Sequence, residues 1–307
     1  MKIAIALAAA LAIIGLIYTT SIPQQDQFEA YKLQFNKHYS KSENTYRKSI
    51  FLKNVEDIER HNALSDKLYK KGINQFTDIT DEEFKSTYMG ELTRASNRLI
   101  ANEITVGDVD WRTKGGVTSI KNQGSCGSCW AFAATAAHES YQILTRGEPI
   151  TIALSAQQLV DCSYVSPYEN QGCNGGYGMH ALEYIKDWGQ TTEANYPYKA
   201  VTMNCTRPRG EYTMTGVVEV TGCANMENSL TTRPLAVRVD ASNWKSYSSG
   251  VLTDCQQNLN HAVLLVASTS TYWVIKNSWG PSWGEQGFIR LLKGNTCGVC
   301  TGPSFPF

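Results

Sequence analysis

The stretch Gln123-Gly124-Ser125-Cys126-Gly127-Ser128-Cys129-Trp130 decides how this chain folds. Its glycines and serines keep the backbone open, and a helical pattern follows at once in Trp130, Phe132, Ala136, Tyr141 and Leu144. Cys129 is therefore predicted at a helix N-terminus, where unpaired N–H groups and the helix dipole favour an anion and make a thiol ionise more easily. Most cysteines are structural, but this position on an open turn argues against burial and makes Cys129 a candidate nucleophile.

Composition and charge place the chain among ordinary globular proteins. Of its 307 residues, 42% are hydrophobic and 18% charged, with 28 basic and 28 acidic residues. This balance provides no net basic field for nucleic acid or an anionic membrane. The length suits one large domain or two smaller ones.

The N-terminus has the pattern of a secretory signal peptide. Lys2 precedes an apolar stretch from Ile3 to Ile17, and small polar residues follow from Thr19 to Ser21. The stretch is shorter than the ~20 residues that a membrane-spanning helix needs. We therefore expect residues 1–21 to be a signal peptide, with no membrane association after its removal.

The cysteines indicate disulfides and one remaining thiol. All nine lie after residue 125, and a secretory chain makes disulfides the default interpretation. An odd number leaves at least one thiol over. A zinc site is the alternative, but the Cys126/Cys129 and Cys297/Cys300 pairs lie too far apart and have no histidine at ligand spacing. We expect no metal or organic cofactor.

Residues 22–104 read as a small helical unit that contains no cysteine or tryptophan. A first helical pattern comprises Phe28, Tyr31, Phe35 and Tyr39. A second helix is predicted from about Ser42 to Asn62, with one face formed by Phe51, Val55, Ile58 and Asn62. A linker-like stretch is predicted near Ser86 to Glu103.

The remainder, about 105–307, begins helical and ends in strands. Helices are predicted for Ser128 to about Gly147, for Ser155 to Asp161 after a Ser155/Gln158 capping box, and for Gly178 to Trp188. After about Glu211, β-branched and aromatic residues predict strands around Val217–Val220, Val237–Val239, Val263–Val266 and Tyr272–Ile275. This order indicates an α+β fold of two packed subdomains.

A thiolate needs a base, and His261 has the right context among the five histidines. His261 and Asn277 follow the Cys-Gly-Ser-Cys-Trp segment by roughly 130 to 150 residues, the spacing of papain-like enzymes. Further motifs agree: Asp110-Trp111-Arg112, Leu159 to Cys162, Gly172 to Gly176, Asn260 to Val263 and Lys276 to Gly280. The earlier unit adds two interspersed motifs: Glu43, Arg47, Phe51, Asn54, Ile58 and Asn62, then Gly72, Asn74, Phe76 and Asp78.

On these motifs the chain resembles the papain family of cysteine proteases, and within it cathepsin L-like precursors. The resemblance implies a papain-like peptidase domain in residues 105–307, with a helical left half and a β-barrel-like right half, preceded by a helical inhibitory propeptide in residues 22–104. It implies a cysteine endopeptidase made as a zymogen, acting through an acyl-enzyme. Protein and peptide substrates and the chain's own propeptide are the expected partners, and a monomer is expected.

The resemblance also implies roles for single residues. Cys129 is the expected nucleophile, His261 the imidazolium partner and proton donor, and Asn277 the residue that orients the histidine. Trp279 shields that contact from water, and Gln123 donates to the oxyanion together with the backbone N–H of Cys129.

For substrate binding, the resemblance implies backbone hydrogen bonds from Gly175 and Gly176 and a side-chain pocket beside Tyr177. Gly302 is expected at the pocket floor if Cys297 is the anchoring cysteine. Because no acidic residue stands there, we expect a hydrophobic residue, rather than arginine, two positions before the cut.

The resemblance pairs Cys126 with Cys173 and Cys162 with Cys205. Cys255 pairs with Cys297 in one alignment and with Cys300 in another. Cys223 is left either bonded to the spare C-terminal cysteine or free.

The destination is expected to be a lysosome, a digestive vacuole or the outside of the cell, and maturation in acid is the usual route for such precursors. Protonation of carboxylates around Glu56, Asp57 and Glu59 offers one mechanism, and a merely solvated helix face is the alternative. A catalytically inactive relative and a disulfide-rich binding module are the rival functions. The presence of Cys129, His261, Asn277 and Gln123 argues against both.

Overall fold

The computed structural model describes residues 24–90 and 107–307. The predicted signal peptide and the stretch that contains the expected processing site lie outside the described residues. Within the described part, no helix is long and apolar enough to cross a membrane.

Between residues 24 and 90, the N-terminal unit contains three helices and one short strand: α1 Gln24–Gln34, α2 Lys41–Ala63, β1 Tyr69–Lys71 and α3 Asp81–Tyr88. Phe28, Tyr31, Phe51 and Val55 form its core, which confirms these four members of the two predicted helix faces. Ile58 is buried outside this cluster, and Asn62 is only partly buried. Phe35 and Tyr39 follow α1 rather than belonging to it, but both pack on the same core.

The helices of the larger unit are α4 Cys129–Tyr141, α5 Ala156–Cys162, α6 Gly178–Trp188 and α7 Cys223–Leu230. A π-helical turn, Gln142–Arg146, prolongs α4 and ends at Gly147, whose φ of 75° is easily adopted by glycine. The predicted capping box is present in part, because Ser155 Oγ accepts the N–H of Gln158 at 3.0 Å. Helix α7 was not predicted, since it lies in the stretch where strand-forming residues dominate.

The strands of the larger unit are β2 Val109–Asp110, β3 Val217–Glu219, β4 Leu235–Val239, β5 Tyr247–Leu252, β6 His261–Ser268, β7 Tyr272–Lys276, β8 Phe288–Leu292 and β9 Ser304–Pro306. Their order in the sheet is β1-β5-β8-β7-β6-β4-β9-β3, with β2 also paired to β6. The path ends at β1 and β3, so the sheet is open and the expected barrel is not closed. Strand β1 comes from the N-terminal unit, which therefore extends the sheet of the larger one along β5.

Helix α4 lies at the centre of the larger unit. It packs between α6 on one side and strand β6 on the other, and Ala136 is the single residue of the helix that is not buried. A helix with apolar residues on all sides suits this central place. The helix that begins at Cys129 therefore packs against the strand that begins at His261.

Candidate active site

Cys129 is the first residue of α4, as predicted. The expectation that its open turn keeps it from burial is wrong, because Cys129 is completely buried in this precursor, where Gly90 of the N-terminal unit lies against the backbone of Gly127 in the same turn. Cys129 belongs to none of the four disulfides, which join Cys126 to Cys173, Cys162 to Cys205, Cys223 to Cys300 and Cys255 to Cys297. Of the alternatives left open for Cys255 and Cys223, the structure therefore contains the Cys297 and Cys300 bonds. Three of the four cysteines of the zinc alternative are consumed by disulfides.

His261 begins β6 and is held by Asn277, which follows β7 directly. The histidine Nε2–H donates to Asn277 Oδ1 at 2.8 Å, while the other ring nitrogen, Nδ1, is buried without a hydrogen-bond partner among the described residues. Burial lowers the pKa of His261 to about 4, and the bond to Asn277 opposes that shift. The covered histidine is therefore neutral at mildly acidic pH.

Tryptophans surround this histidine–asparagine pair. The Trp279 ring lies 4.6 Å from the His261 ring, centre to centre, and is itself buried against Trp244 and Trp283. Water is thereby kept from one side of the hydrogen bond, and a hydrogen bond in such a low-dielectric place is stronger than in water.

Gln123 is oriented by the residue next to Asn277. Ser278 Oγ donates to Gln123 Oε1 at 2.7 Å, and the backbone N–H of Ser278 donates to Asn277 Oδ1 at 2.8 Å. Because its carbonyl is held by Ser278, the amide NH₂ of Gln123 must face the other way, where it donates to the carbonyl of Cys126 at 2.8 Å. Ser278 thus fixes the amide orientations of both Gln123 and Asn277.

A buried charge cluster supports the segment that carries Asn277. Glu139 accepts hydrogen bonds from Lys121 Nζ at 2.5 Å and from Thr118 Oγ1 at 2.6 Å, and Thr118 Oγ1 in turn accepts Lys276 Nζ at 2.9 Å. Burial lowers the pKa of Lys276 to about 8, with the Glu139 carboxylate opposing the shift. Burial raises the pKa of Glu139, but the two lysines outweigh it and hold that pKa below its usual range.

The N-terminal unit occupies the site. Gln123 Nε2 also donates to the carbonyl of Tyr88 at 3.1 Å. A main-chain oxygen of the N-terminal unit therefore uses the donor that is proposed to bind the oxyanion. Gly90 follows, and its N–H donates to Asn260 O at 3.1 Å while its carbonyl accepts the N–H of Gly176 at 2.8 Å. A side chain at Gly90 would overlap the carbonyl of Gly127, so only glycine fits this crossing.

An aromatic cluster anchors this covering segment. Phe76 and Phe84 place their rings edge-on to Trp279, at 5.7 and 5.1 Å, and Tyr88 packs on both. Gln75 Nε2 donates to Trp279 O at 2.7 Å. The cluster was missed in the sequence, where residues from Ser86 onward read as linker, although Phe84 and Tyr88 stand one helical turn apart.

The motif residues of the N-terminal unit hold its elements together. Arg47 on α2 contacts both carboxylate oxygens of Glu83 on α3, at 2.9 and 2.8 Å, and Asn54 donates to two carbonyls of the intervening loop. Burial raises the pKa of Glu83, but the Thr80 N–H and Arg47 outweigh it and lower that pKa overall. Glu56 and Glu59, by contrast, are exposed, as the solvated-face alternative predicts.

Of the two predicted substrate-binding glycines, Gly175 makes its backbone hydrogen bonds within its own loop: its N–H donates to Gly172 O at 3.4 Å, and its carbonyl accepts the N–H of Gln171 at 2.8 Å. Gly176 contacts the covering chain directly, while the N–H of Tyr177 is held by Asn170 Oδ1 at 2.7 Å.

Gly302 precedes β9, and Arg238 of β4, which sequence reasoning did not single out, lies against it. The expectation that no acidic residue stands beside Gly302 is wrong, because Glu219, distant in sequence, places its Cδ 3.3 Å from the Cβ position of Gly302.

Comparisons with known proteins agree over nearly the whole chain. Residues 105–307 match the family described as papain family cysteine protease, and residues 28–84 match the cathepsin propeptide inhibitor domain. A cathepsin L-like proteinase of Fasciola hepatica is 40% identical over 310 residues, covering 92% of this chain and 93% of that protein.

Solved structures give the same result. The digestive procathepsin L 3 of Tenebrio molitor larval midgut superposes with a TM-score of 0.83 at 37% identity, covering 93% of this chain and 99% of that one. The bromelain protease from Ananas comosus, solved in complex with the E64 inhibitor, superposes with a TM-score of 0.60 at 35% identity, covering 66% of this chain and 99% of that one.

Proposed function

Because the chain belongs to the papain family of cysteine proteases and carries a cathepsin propeptide inhibitor domain, we propose that Cys129, His261, Asn277 and Gln123 form its catalytic site. The chain is a cathepsin L-like cysteine peptidase made as a zymogen. In the proposed reaction, the Cys129 thiolate attacks the peptide carbonyl, and the oxyanion binds the Gln123 amide and the Cys129 N–H.

The imidazolium of His261 then gives its proton to the leaving amine, and an acyl-enzyme remains on Cys129. The same imidazole then deprotonates a water molecule, whose oxygen attacks the acyl carbon and breaks the bond to sulfur. This releases the acid and restores the Cys129 thiolate and the His261 imidazolium. Asn277 keeps the ring oriented throughout, since its Oδ1 accepts from Nε2 and leaves Nδ1 to exchange the proton.

The network through Ser278 carries this proposal. One residue holds both Asn277 Oδ1 and Gln123 Oε1, so a single short segment sets the histidine orienter and the oxyanion donor in a fixed relation. Preorganised donors of this kind act without reorganisation at the moment of reaction.

The covering segment explains why the precursor is inactive. The carbonyl of Tyr88 accepts a hydrogen bond from Gln123, and Gly90 bonds to both Gly176 and Asn260. These are the hydrogen-bonding groups that a substrate main chain needs. We propose that residues 22–104 form this inhibitory propeptide, that residues 105–307 form the mature enzyme, and that residues 1–21 are a signal peptide.

Substrate and compartment follow as finer proposals. The enzyme is an endopeptidase that prefers a hydrophobic residue, rather than arginine, two positions before the cut. It acts as a monomer in an acidic digestive compartment or after secretion, where its disulfides are stable.

Kinetics of a Gln123→Ala variant test the catalytic assignment. Loss of one oxyanion donor should lower kcat by ~10²–10³ with little change in KM. Gln256→Ala, an exposed glutamine in the same chain, is the matched control and should retain full activity. An unchanged kcat in Gln123→Ala would exclude the proposed oxyanion site.

A further inference from the structure

Arg238 fills the space beside Gly302, the glycine expected at the floor of the side-chain pocket. Gly302 has a φ of +68°, and a Cβ built on it would overlap Arg238 Nη2 and lie 3.1 Å from Arg238 Cζ. We propose that Arg238 is a specificity determinant of this peptidase, whose guanidinium binds the carboxylate of a glutamate two positions before the scissile bond. The inference rests on the proposed function and names a substrate class for it.

Strand register brings Arg238 to the cleft. In the β4–β6 pair, Val239 stands opposite His261 and Arg238 stands opposite Ala262. Directly opposite residues of an antiparallel pair project to the same face of the sheet. Arg238 therefore shares a face with Ala262, the residue next to the catalytic histidine.

The covering chain shows where a substrate main chain passes. Gly90 bonds to the carbonyl of Asn260 and to the N–H of Gly176, and Asn260 directly precedes His261 and Ala262. A peptide held by these two groups runs alongside the start of β6. A side chain that turns toward Ala262 from there meets the face on which Arg238 lies.

Arg238 is an arginine without an assigned partner in an otherwise apolar strand. The other four residues of β4 are buried, whereas Arg238 is only partly buried, so the sheet is open to solvent at this point. Within the described residues, its side chain makes no hydrogen bond or ion pair. A partly desolvated guanidinium with unused donors favours a carboxylate, which it can bind through two parallel hydrogen bonds.

Glu219 on β3 is the charged group that opposes this role. Its Cδ lies 3.3 Å from the same Cβ position on Gly302, so its carboxylate competes with a substrate carboxylate for the guanidinium. This competition gives a second prediction: removing the charge of Glu219 should strengthen the preference of the enzyme for glutamate two positions before the cut. Leucine remains a substrate residue, because Ala262 and the other residues of β4 are apolar. The Arg238 guanidinium lies nearer to the Gly302 position than the Glu219 carboxylate does, so it disfavours arginine.

The experiment compares four peptide substrates that differ only in the second residue before the cut: leucine, glutamate, glutamine or arginine. The mature enzyme should cleave the glutamate peptide with a kcat/KM about tenfold above that of the isosteric glutamine peptide. Arg238→Gln should bring this ratio close to one, and Glu219→Gln should raise it by severalfold. Arg233→Gln is the matched control, since Arg233 is also partly buried but donates to Pro306 O at 2.6 Å.

Active-site titration with a thiol reagent keeps the outcome interpretable, because it counts folded enzyme in each variant. If Arg238→Gln does not fold, Arg238→Lys replaces it. Its glutamate-to-glutamine ratio of kcat/KM should lie between one and that of the parent, since lysine keeps the charge but lacks the two parallel N–H donors of the guanidinium. A glutamate-to-glutamine ratio of one in the parent enzyme, or an equal ratio in the Arg238 variant, would overturn the inference. Failure to cleave even the leucine peptide would instead refute the proposed function.

Discussion

Replacing Phe84 by alanine should open the propeptide's cover over the active site. Phe84 is 1% exposed, and its ring centre lies 5.1 Å from that of Phe76 and 5.1 Å from that of Trp279. Truncating a buried phenylalanine costs ~3–5 kcal/mol. Since Phe84 contacts both the propeptide and the enzyme, we assign about half of this to docking, or ~1.5–2.5 kcal/mol.

The assay is alkylation of Cys129 by iodoacetamide in the intact precursor at neutral pH, followed by mass spectrometry. Because Cys129 is completely buried, it reacts only in molecules whose cover has opened. When opening and closing are fast, the labelling rate reports the open population. The loss of docking energy should therefore accelerate labelling about 12- to 60-fold, at tenfold per 1.4 kcal/mol.

Leu33→Ala provides the matched control within the same propeptide. Leu33 is 85% exposed, so its truncation should leave the labelling rate unchanged. Equal labelling rates for the Phe84→Ala precursor and the parent would refute the argument that the aromatic cluster holds the cover closed.

Three further predictions concern acid release, the buried charges and the histidine orienter. The pKa of Glu83 is lowered, so the stability that Glu83 adds to the closed precursor is present above the ordinary glutamate pKa and is lost as pH falls through the lowered pKa. Glu83→Gln should therefore raise the labelling rate of Cys129 at neutral pH and reduce the increase of that rate toward acid. A pH profile identical to that of the parent would contradict this. Glu139→Gln leaves Lys121 and Lys276 without their buried carboxylate. It should therefore lower the free energy of unfolding, measured by denaturant titration, by ~3–5 kcal/mol. A loss below ~1 kcal/mol would mean that the Glu139 carboxylate does not stabilise the fold. Asn277→Ala removes the acceptor of His261 Nε2 and should lower kcat more than it changes KM, whereas a pure KM effect would mean that Asn277 does not orient the histidine.

Local sequence signals predicted helices α4, α5 and α6 of the larger unit, but not α7. The open turn before Cys129 and the Ser155 hydroxyl each mark a helix start within one residue, because capping and turn chemistry are local. Helix α6 was predicted with its observed ends, Gly178 and Trp188.

The sheet was predicted less completely, because its pairing is distant in sequence. Strand β1 pairs with β5, setting Tyr69 opposite Gly250, and neither segment has a strong alternating pattern. Gly250 has a φ of 96°, and a Cβ there would overlap Leu68 O, so the close approach of the two strands requires glycine. Such a constraint becomes visible only when both partners are in place.

The site shows the same division between local and distant information. Cys129, His261, Asn277 and Gln123 could be proposed from motif spacing. The role of Ser278 in orienting two amides and the contact of Arg238 with Gly302 depend on hydrogen bonds and packing between distant segments, and they emerged only from the structure.

The most direct test of the central claim is to locate the nucleophile in the processed enzyme. The precursor would be incubated at mildly acidic pH with a thiol, and the product treated with an irreversible peptide-epoxide inhibitor and examined by mass spectrometry. We predict a shortened chain that carries the adduct on Cys129 and loses peptidase activity in proportion to labelling. A processed chain that keeps its activity with Cys129 blocked, or one that is active and labelled at another residue, would contradict the assignment.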